Sequence, residues 1–496
     1  MATFASMKKI IFFILLLTAL ISCKKQQTGL ETEAGLEFST QEVYFDTVFT
    51  GIGSATEIFK VYNRSKKEII ISKAFLEGGA SSQFRFNIDG IAGDQNEISI
   101  AAEDSAFAFV EVTVNPGNVN DPFVLEDNLI FITNGKTQKV KTRAWGQDAY
   151  YYFPNQVVKG LPAFSRITDY KANPTWNDEI VWKNDKPHII YGYLRVDSSM
   201  TLKIKKGTQI HLHEGAGLWI ASNASLVVEG KKDEEVVFQG DRKEDALDER
   251  PGQWDRIWIN EGGESSIRYA IIKNGYVGLQ VETTPFDQNA TISQKKLILQ
   301  KTIIKNMVGV GLISRNFIIE AENCLIYEIG NQDLAINGGG DYSFKHCTFA
   351  NYWSGGNRQQ SLLFVNNTYR DINGEKVNKD LKARFDNCIF YGNKDEEVEL
   401  DSSAAVYDLV FNSCILKTEI DLATHGIRYV NCITNPSNGF SSPVFTSPGD
   451  FKFELYNGST AHDKGDVNVP SSMKESDDLK EDARDSKPDL GCYEVL

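Results

Sequence analysis

Six cysteines crowd the C-terminal part of the chain: Cys324, Cys347, Cys388, Cys414, Cys432 and Cys492. Thiols in an exported protein can pair as disulfides or ligate a metal. No C-x2-C spacing and no histidine partner pattern accompanies them, so no metal centre is expected. His211 and His213 sit at i, i+2 on one strand and share a face, as two metal ligands can, but no third ligand accompanies them. The run Asp241-Arg242-Lys243-Glu244-Asp245 with Asp248-Glu249-Arg250 has the residue types of a calcium-dependent lyase and reads equally as a solvated loop. Asp477-Asp478 and the isolated Thr424-His425-Gly426 do not make the set of carboxylates, His and Arg or Lys that acid–base attack on a glycosidic bond requires. No catalytic residue is therefore assigned. Trp254, Arg256 and Trp258 alternate along one segment, where core packing is the default for one face. The segment Tyr352 to Gln360 carries aromatic and planar polar groups, and Trp353, Asn357 and Arg358 are its expected ligand contacts.

What positions these residues is an internal repeat. The pattern apolar, two residues, small, any, apolar recurs as Ile267-Arg268-Tyr269-Ala270-Ile271-Ile272 and Leu299-Gln300-Lys301-Thr302-Ile303-Ile304. Cysteine then takes the small position at Cys324, Cys347, Cys388, Cys414 and Cys432. Most steps are near 22 residues; the step from Cys347 to Cys388 is 41, either two coils or one with a long loop. Units of this length bury apolar side chains only by stacking on their neighbours. The five cysteines should form a column of free, buried thiols, because in-register Cβ vectors run parallel and suit a disulfide poorly. Asn274, Asn306 and Asn351, four residues past the small position, are placed to form a hydrogen-bonded ladder. The stretches Thr201–Ile210, Gly217–Ile220 and Ser225–Gly230 resemble opening coils of right-handed parallel β-helices of the pectate-lyase-like kind. That resemblance implies a solenoid over 191–460, and Asp489-Leu490-Gly491-Cys492-Tyr493-Glu494 resembles a D-x-G-x-Y-E ending of exported β-helix proteins, implying a C-terminal cap with an acidic loop over 461–496.

Residues 36–146 alternate in short strands broken by Gly78-Gly79, Asp89-Gly90, Asn115-Pro116-Gly117 and Asn134-Gly135, the pattern of a β-sandwich. Val48-Phe49-Thr50-Gly51 with Phe59-Lys60-Val61-Tyr62-Asn63 resembles immunoglobulin-like domains of the ASH type, which implies a spacer or interaction module. The fold class is thus all-β, an N-terminal immunoglobulin-like sandwich followed by a right-handed parallel β-helix. Residues 147–190, with Tyr150-Tyr151-Tyr152-Phe153, Trp176 and Trp182, are expected as a connector or N-terminal cap.

The chain opens with Lys8-Lys9 and the apolar run Ile10–Ile21, too short to span a bilayer about 30 Å thick. Met7 is an alternative start, since Met7-Lys8-Lys9 is itself a basic n-region. Leu20-Ile21-Ser22-Cys23 resembles a lipobox. The resemblance implies cleavage of 1–22, acylation of Cys23, a tether over 23–35 and an address in the cell envelope. Lys24 after the cysteine favours the outer membrane by the same analogy.

Formal net charge is −15, and loss of Lys8 and Lys9 with the signal takes it to −17. No basic stripe offsets it, which excludes nucleic acid as a partner, and no cofactor motif is present. The chain resembles bacterial envelope lipoproteins that join an immunoglobulin-like domain to a β-helix. The resemblance implies a membrane-anchored surface for polysaccharide or envelope-protein binding; the alternative is a polysaccharide lyase or glycoside hydrolase.

Overall fold

The computed structural model describes residues 29–115, 123–171, 174–175, 177–242, 249–283, 293–371, 373–403, 405–422, 427–440, 442–469 and 477–495. Cys23 and the rest of 1–28 lie outside them, as do Trp176 and His425. The chain forms two compact units, 1–148 and 149–496.

The first unit is a sandwich of two five-stranded sheets among the described residues. Alternation sets each inner face: along Ser105–Val112, Ala106, Ala108, Val110 and Val112 point into the core while Phe107 stays exposed. Pairing is antiparallel except between Glu42–Phe49 and Lys136–Gln147, which run parallel with a bulge at Ala144/Trp145.

The second unit is a parallel β-helix. Three parallel sheets, of eleven, ten and nine strands among the described residues, make up its walls, and each of the first nine coils contributes one strand to each. Apolar residues stack like on like inside: Leu194, Leu218, Ile257, Leu279, Leu312, Leu334, Leu363 and Val398 form one unbroken buried column of the nine-stranded sheet. Each such side chain contributes roughly 1.5–3 kcal/mol by leaving water.

The segment expected as a connector or N-terminal cap supplies the first strand of each sheet: Tyr150–Tyr152, Phe164–Arg166 and Glu179–Trp182 open the eleven-, nine- and ten-stranded sheets. They are short and separated by irregular chain, which hides their period in the sequence.

One sharp corner repeats between the ten- and eleven-stranded sheets. Tyr269, Lys301, Asn323, His346, Asn387, Ser413 and Asn431 all occupy it with φ between 44° and 54°. Left-handed backbone is unfavourable for side chains other than Gly, with Asn and Asp the best tolerated, so the corner holds only because the sheets on both sides fix it. The residue after each is the repeat's small position. The 41-residue step is one coil: Phe344 pairs directly with Phe385 and Thr348 with Ile389. Its extra length includes the hairpin Thr368–Arg370 with Lys376–Asn378.

The five cysteines of the column are all free, four of them buried and Cys432 half-buried in the last coil. Their thiols turn to main-chain carbonyls, as from Cys347 to Lys345 O (3.3 Å) and Cys388 to Asp386 O (3.3 Å). The asparagine ladder has one rung, Asn306 Nδ2 to Asn274 Oδ1 at 2.7 Å. Glu328 takes the next position, and Asn351 instead donates to Asp333 Oδ1 (2.7 Å) and Ile329 O (2.8 Å).

The tail flanks the solenoid instead of only closing its end. Phe445, Phe453, Leu490 and Cys492 bury against Leu325, Ala350, Ile389 and Ile415 on the outer face of the eleven-stranded sheet. It is pinned to the corner row by Tyr269 Oη to Glu481 (2.8 Å), Asn323 Nδ2 to Asp477 O (2.9 Å) and Gly491 N to Asn387 O (2.7 Å). The outer face of that sheet is too apolar to be left in water.

Candidate functional site

The outer face of the nine-stranded sheet gathers the groups best suited to hold a ligand. One outward row runs Arg166, Arg195, Trp219, Trp258, Gln280, Ile313, Ala335, Phe364, Glu399 in register through successive coils. The next contains Asn260, Glu282 and Arg315, and continues on later coils with Asn337, Asn366 and Asp401. Strands about 4.8 Å apart bring flat side chains of one row into stacking range. Trp219 and Trp258 stack with centroids 5.3 Å apart and planes at 17°. Phe164 meets Trp219 edge-on at 5.7 Å, and the Arg195 guanidinium lies 4.9 Å from the Trp219 ring. Trp219 is buried and Trp258 half-buried, so Trp258 is the solvent-facing ring of the stack.

Fixed polar groups border the rings. Trp258 Nε1 donates to Glu282 Oε1 (2.9 Å), Gln280 Nε2 donates to the same oxygen (2.7 Å), and Arg315 Nη1 donates to Oε2 (3.1 Å). Asp255 accepts from Arg256 Nη2 (2.8 Å) and from the Tyr193 hydroxyl. Burial, with Asp255 adding to it, raises the Tyr193 hydroxyl above the usual phenol range, so it stays a donor at neutral pH. Both carboxylates are therefore held as acceptors of fixed donors.

Beyond Arg315 the face opens into a cleft of about 420 Å³ lined by Arg315, Asn337, Asn366, Tyr369, Arg370 and Lys376. Its far wall is the hairpin inserted after Asn366. Tyr369 packs on Gly338, which has φ 87°; a Cβ there would come within 2.7 Å of the Tyr369 ring. Glycine is what lets the hairpin lie this close.

The residues singled out in the sequence fall elsewhere. Trp254, Arg256 and Trp258 do not share a face: Trp254 precedes the strand Arg256–Asn260 and sits in the core, its Nε1 bonded to Lys273 O at 2.8 Å. In the loop of Trp353, Asn357 and Arg358, Asn357 is exposed and Trp353 half-buried. Arg358, expected as a ligand contact, is turned inward, its side chain 2% exposed against a fully buried Glu397. His211 and His213 part company: His211 is buried with Nδ1 on Gly240 O (3.0 Å), and His213 pairs with Asp241 (2.7 Å). Of the acidic run, 243–248 lie outside the described residues, and Glu249 bridges to Lys305 at 3.3 Å. Among the described residues one group of possible metal ligands lies within 4.8 Å, His462, Asp463 and Asp489. Asp489 spends its oxygens on Asp463 N and Val495 N (2.7 Å each), tying the tail together. The signal for the tryptophan face was weak because its outward residues differ from coil to coil, whereas the inward ones repeat.

No family model matches the chain, and no curated protein matches it. Among solved structures it is similar to a family 123 glycoside hydrolase from Clostridium perfringens, 8% identical over 24% of this chain and 30% of that one. It is also similar to the periplasmic chaperone SfaE, 13% identical over 23% and 58%. A third is the ASH/PapD-like domain 7 of human CEP192, 9% identical over 26% and 94%. The chain thus spans under two thirds of the first two. Each TM-score is 0.17, too low to carry an argument about fold or function.

Proposed function

We propose that the protein is a lipid-anchored component of the bacterial cell envelope, tethered through Cys23 at the outer membrane, whose β-helix binds glycan along the outer face of the nine-stranded sheet. The observation that carries this reading is the Trp219–Trp258 stack bordered by Gln280, Glu282 and Arg315. An apolar ring face beside fixed planar hydrogen-bonding groups matches a sugar ring, which has an apolar face and a polar rim. Binding is favoured over cleavage because Asp255 and Glu282 each accept several bonds from neighbours, whereas a glycosidase needs a pair of carboxylates free to protonate and to attack.

The test is a glycan array probed with the wild-type protein and with Trp258→Ala, run beside reducing-end and unsaturated-uronate assays on the same polymers. Retention of an oligosaccharide that the variant loses, with no new ends or double bonds, is the expected result. Cleavage of any polymer would replace the binding reading with the lyase or hydrolase one. For the anchor, wild-type protein expressed in a bacterium that acylates lipoproteins is expected in the membrane fraction, and Cys23→Ser in the soluble fraction.

A further inference from the structure

We infer that the cleft beyond Arg315 is an anion station that takes one carboxylate, sulfate or phosphate group borne on an otherwise uncharged glycan. This rests on the glycan reading of the same sheet face and names the class of chain that it selects.

The hairpin supplies the first reason. Arg370 and Lys376 are register partners on its two strands, and like charges placed directly opposite on an antiparallel ribbon repel. Arg370 donates to Gly374 O at 2.7 Å. Neither cation has an ion pair with a described residue. The hairpin is nonetheless fixed: Tyr369 is seated on Gly338, and Asp371 Oδ1 accepts Asn373 N and Glu375 N at 2.9 Å each. A fixed pair of facing cations is a ready receptor for a charge of opposite sign.

The facing wall supplies the donors. Arg315 spends one Nη on Glu282, leaving other guanidinium N–H groups. Asn366 Oδ1 accepts Gly338 N at 2.9 Å, which points the amide's donor end the other way. Arginine forks, an ammonium and amide donors match the oxygens of a carboxylate, sulfate or phosphate. The cleft, at about 420 Å³, has room for the sugar that bears the group as well.

Elsewhere on the face the cations are engaged. Arg166 and Arg195 both approach Asp197, at 3.6 and 3.8 Å, and Arg256 holds Asp255. A polyanion would find a single station and a protein of net charge −15. A chain with sparse charge meets the station at one point and the tryptophan ring at another: Arg315, the near wall, is two strands or about 10 Å from Trp258 by strand spacing, and the hairpin follows the strand four along, about 19 Å away.

Titration calorimetry of the full chain with inorganic sulfate, inorganic phosphate and D-glucuronate, at low salt, tests the station without any polymer. One-site binding that weakens at least tenfold in Arg370→Gln/Lys376→Gln is expected, and the ranking of the three names the preferred group. The double variant should melt at or above the wild-type temperature without anion, since a repulsion is gone. Equal affinity in wild type and variant, or no anion binding, overturns the station. Neutral and singly sulfated or uronate-bearing oligosaccharides then separate the two claims. Wild type should favour the charged chain at least tenfold, and the variant should lose that preference. If neutral chains bind and charge adds nothing, the station fails and the glycan reading stands. If free anion binds but no oligosaccharide does, the glycan reading fails and the station stands as an anion site.

Discussion

Arg358 and Glu397 meet in a buried fork: Nη1 lies 2.8 Å from Oε2, the second nitrogen bonds Oε1, and both side chains are almost wholly removed from solvent. Glu397 also accepts Lys394 N (2.9 Å) and Leu362 N (3.1 Å). The pair thus ties the loop after Asn351 to the next coil.

Removing one partner strands the other's charge in the interior, which costs about 3–5 kcal/mol. Arg358→Ala is expected to lower stability by that amount in urea unfolding followed by circular dichroism. Arg358→Ala/Glu397→Ala should lose less than the sum of the single variants. Additive losses would show that the two side chains act independently.

The thiol column makes a prediction about reactivity. Burial pushes the Cys324 and Cys388 thiols well above their ordinary range, so neither thiolate forms in the native state. Alkylation of the folded protein followed by mass spectrometry should modify Cys432 first and leave Cys324, Cys347, Cys388 and Cys414 unmodified until denaturant is added. Labelling of all five at one rate in buffer would contradict the column's burial.

The N-terminal end of the β-helix carries an acid-sensitive group. His188 stacks on Trp182 at 4.1 Å and its Nδ1 lies 2.8 Å from the Tyr152 hydroxyl. Burial lowers its imidazole to about 4. The unfolded chain binds that proton near pH 6.5 and the folded chain does not until about pH 4, so stability is intact above 6.5 and falls as pH drops through this window. The loss from this group is at most about 3 kcal/mol. Urea midpoints at pH 7, 5.5 and 4 should decline in the wild type and decline less in His188→Gln.

The solenoid was legible because its inward positions repeat. The small position could be read from Ala270 through Cys432, and the structure places each of these next to a left-handed corner residue. The ambiguous step to Cys388 was beyond sequence reasoning, since a 41-residue spacing fits two coils as well as one coil with a hairpin. Strand parity failed at Trp254, which makes an isolated bridge to Gly275 before the strand begins at Arg256, so counting by twos grouped a core residue with Arg256 and Trp258. The site was harder still. Trp219 and Trp258 are 39 residues apart and become neighbours only through coil register. Arg358, conspicuous in an irregular loop, is there to meet Glu397 instead of solvent. The D-x-G-x-Y-E ending was legible as structural, but its place along the corner row follows from the apolar outer face of the eleven-stranded sheet, which the repeat alone does not reveal.

The central claim is that the Trp258 face holds a glycan, and oligosaccharide affinity of Trp258→Ala against wild type measures it most directly. On the best-retained chain from the array, the variant should bind at least tenfold more weakly, a loss of about 1.4 kcal/mol or more, while its circular dichroism remains that of the folded protein. Equal affinity in the two proteins would contradict the account.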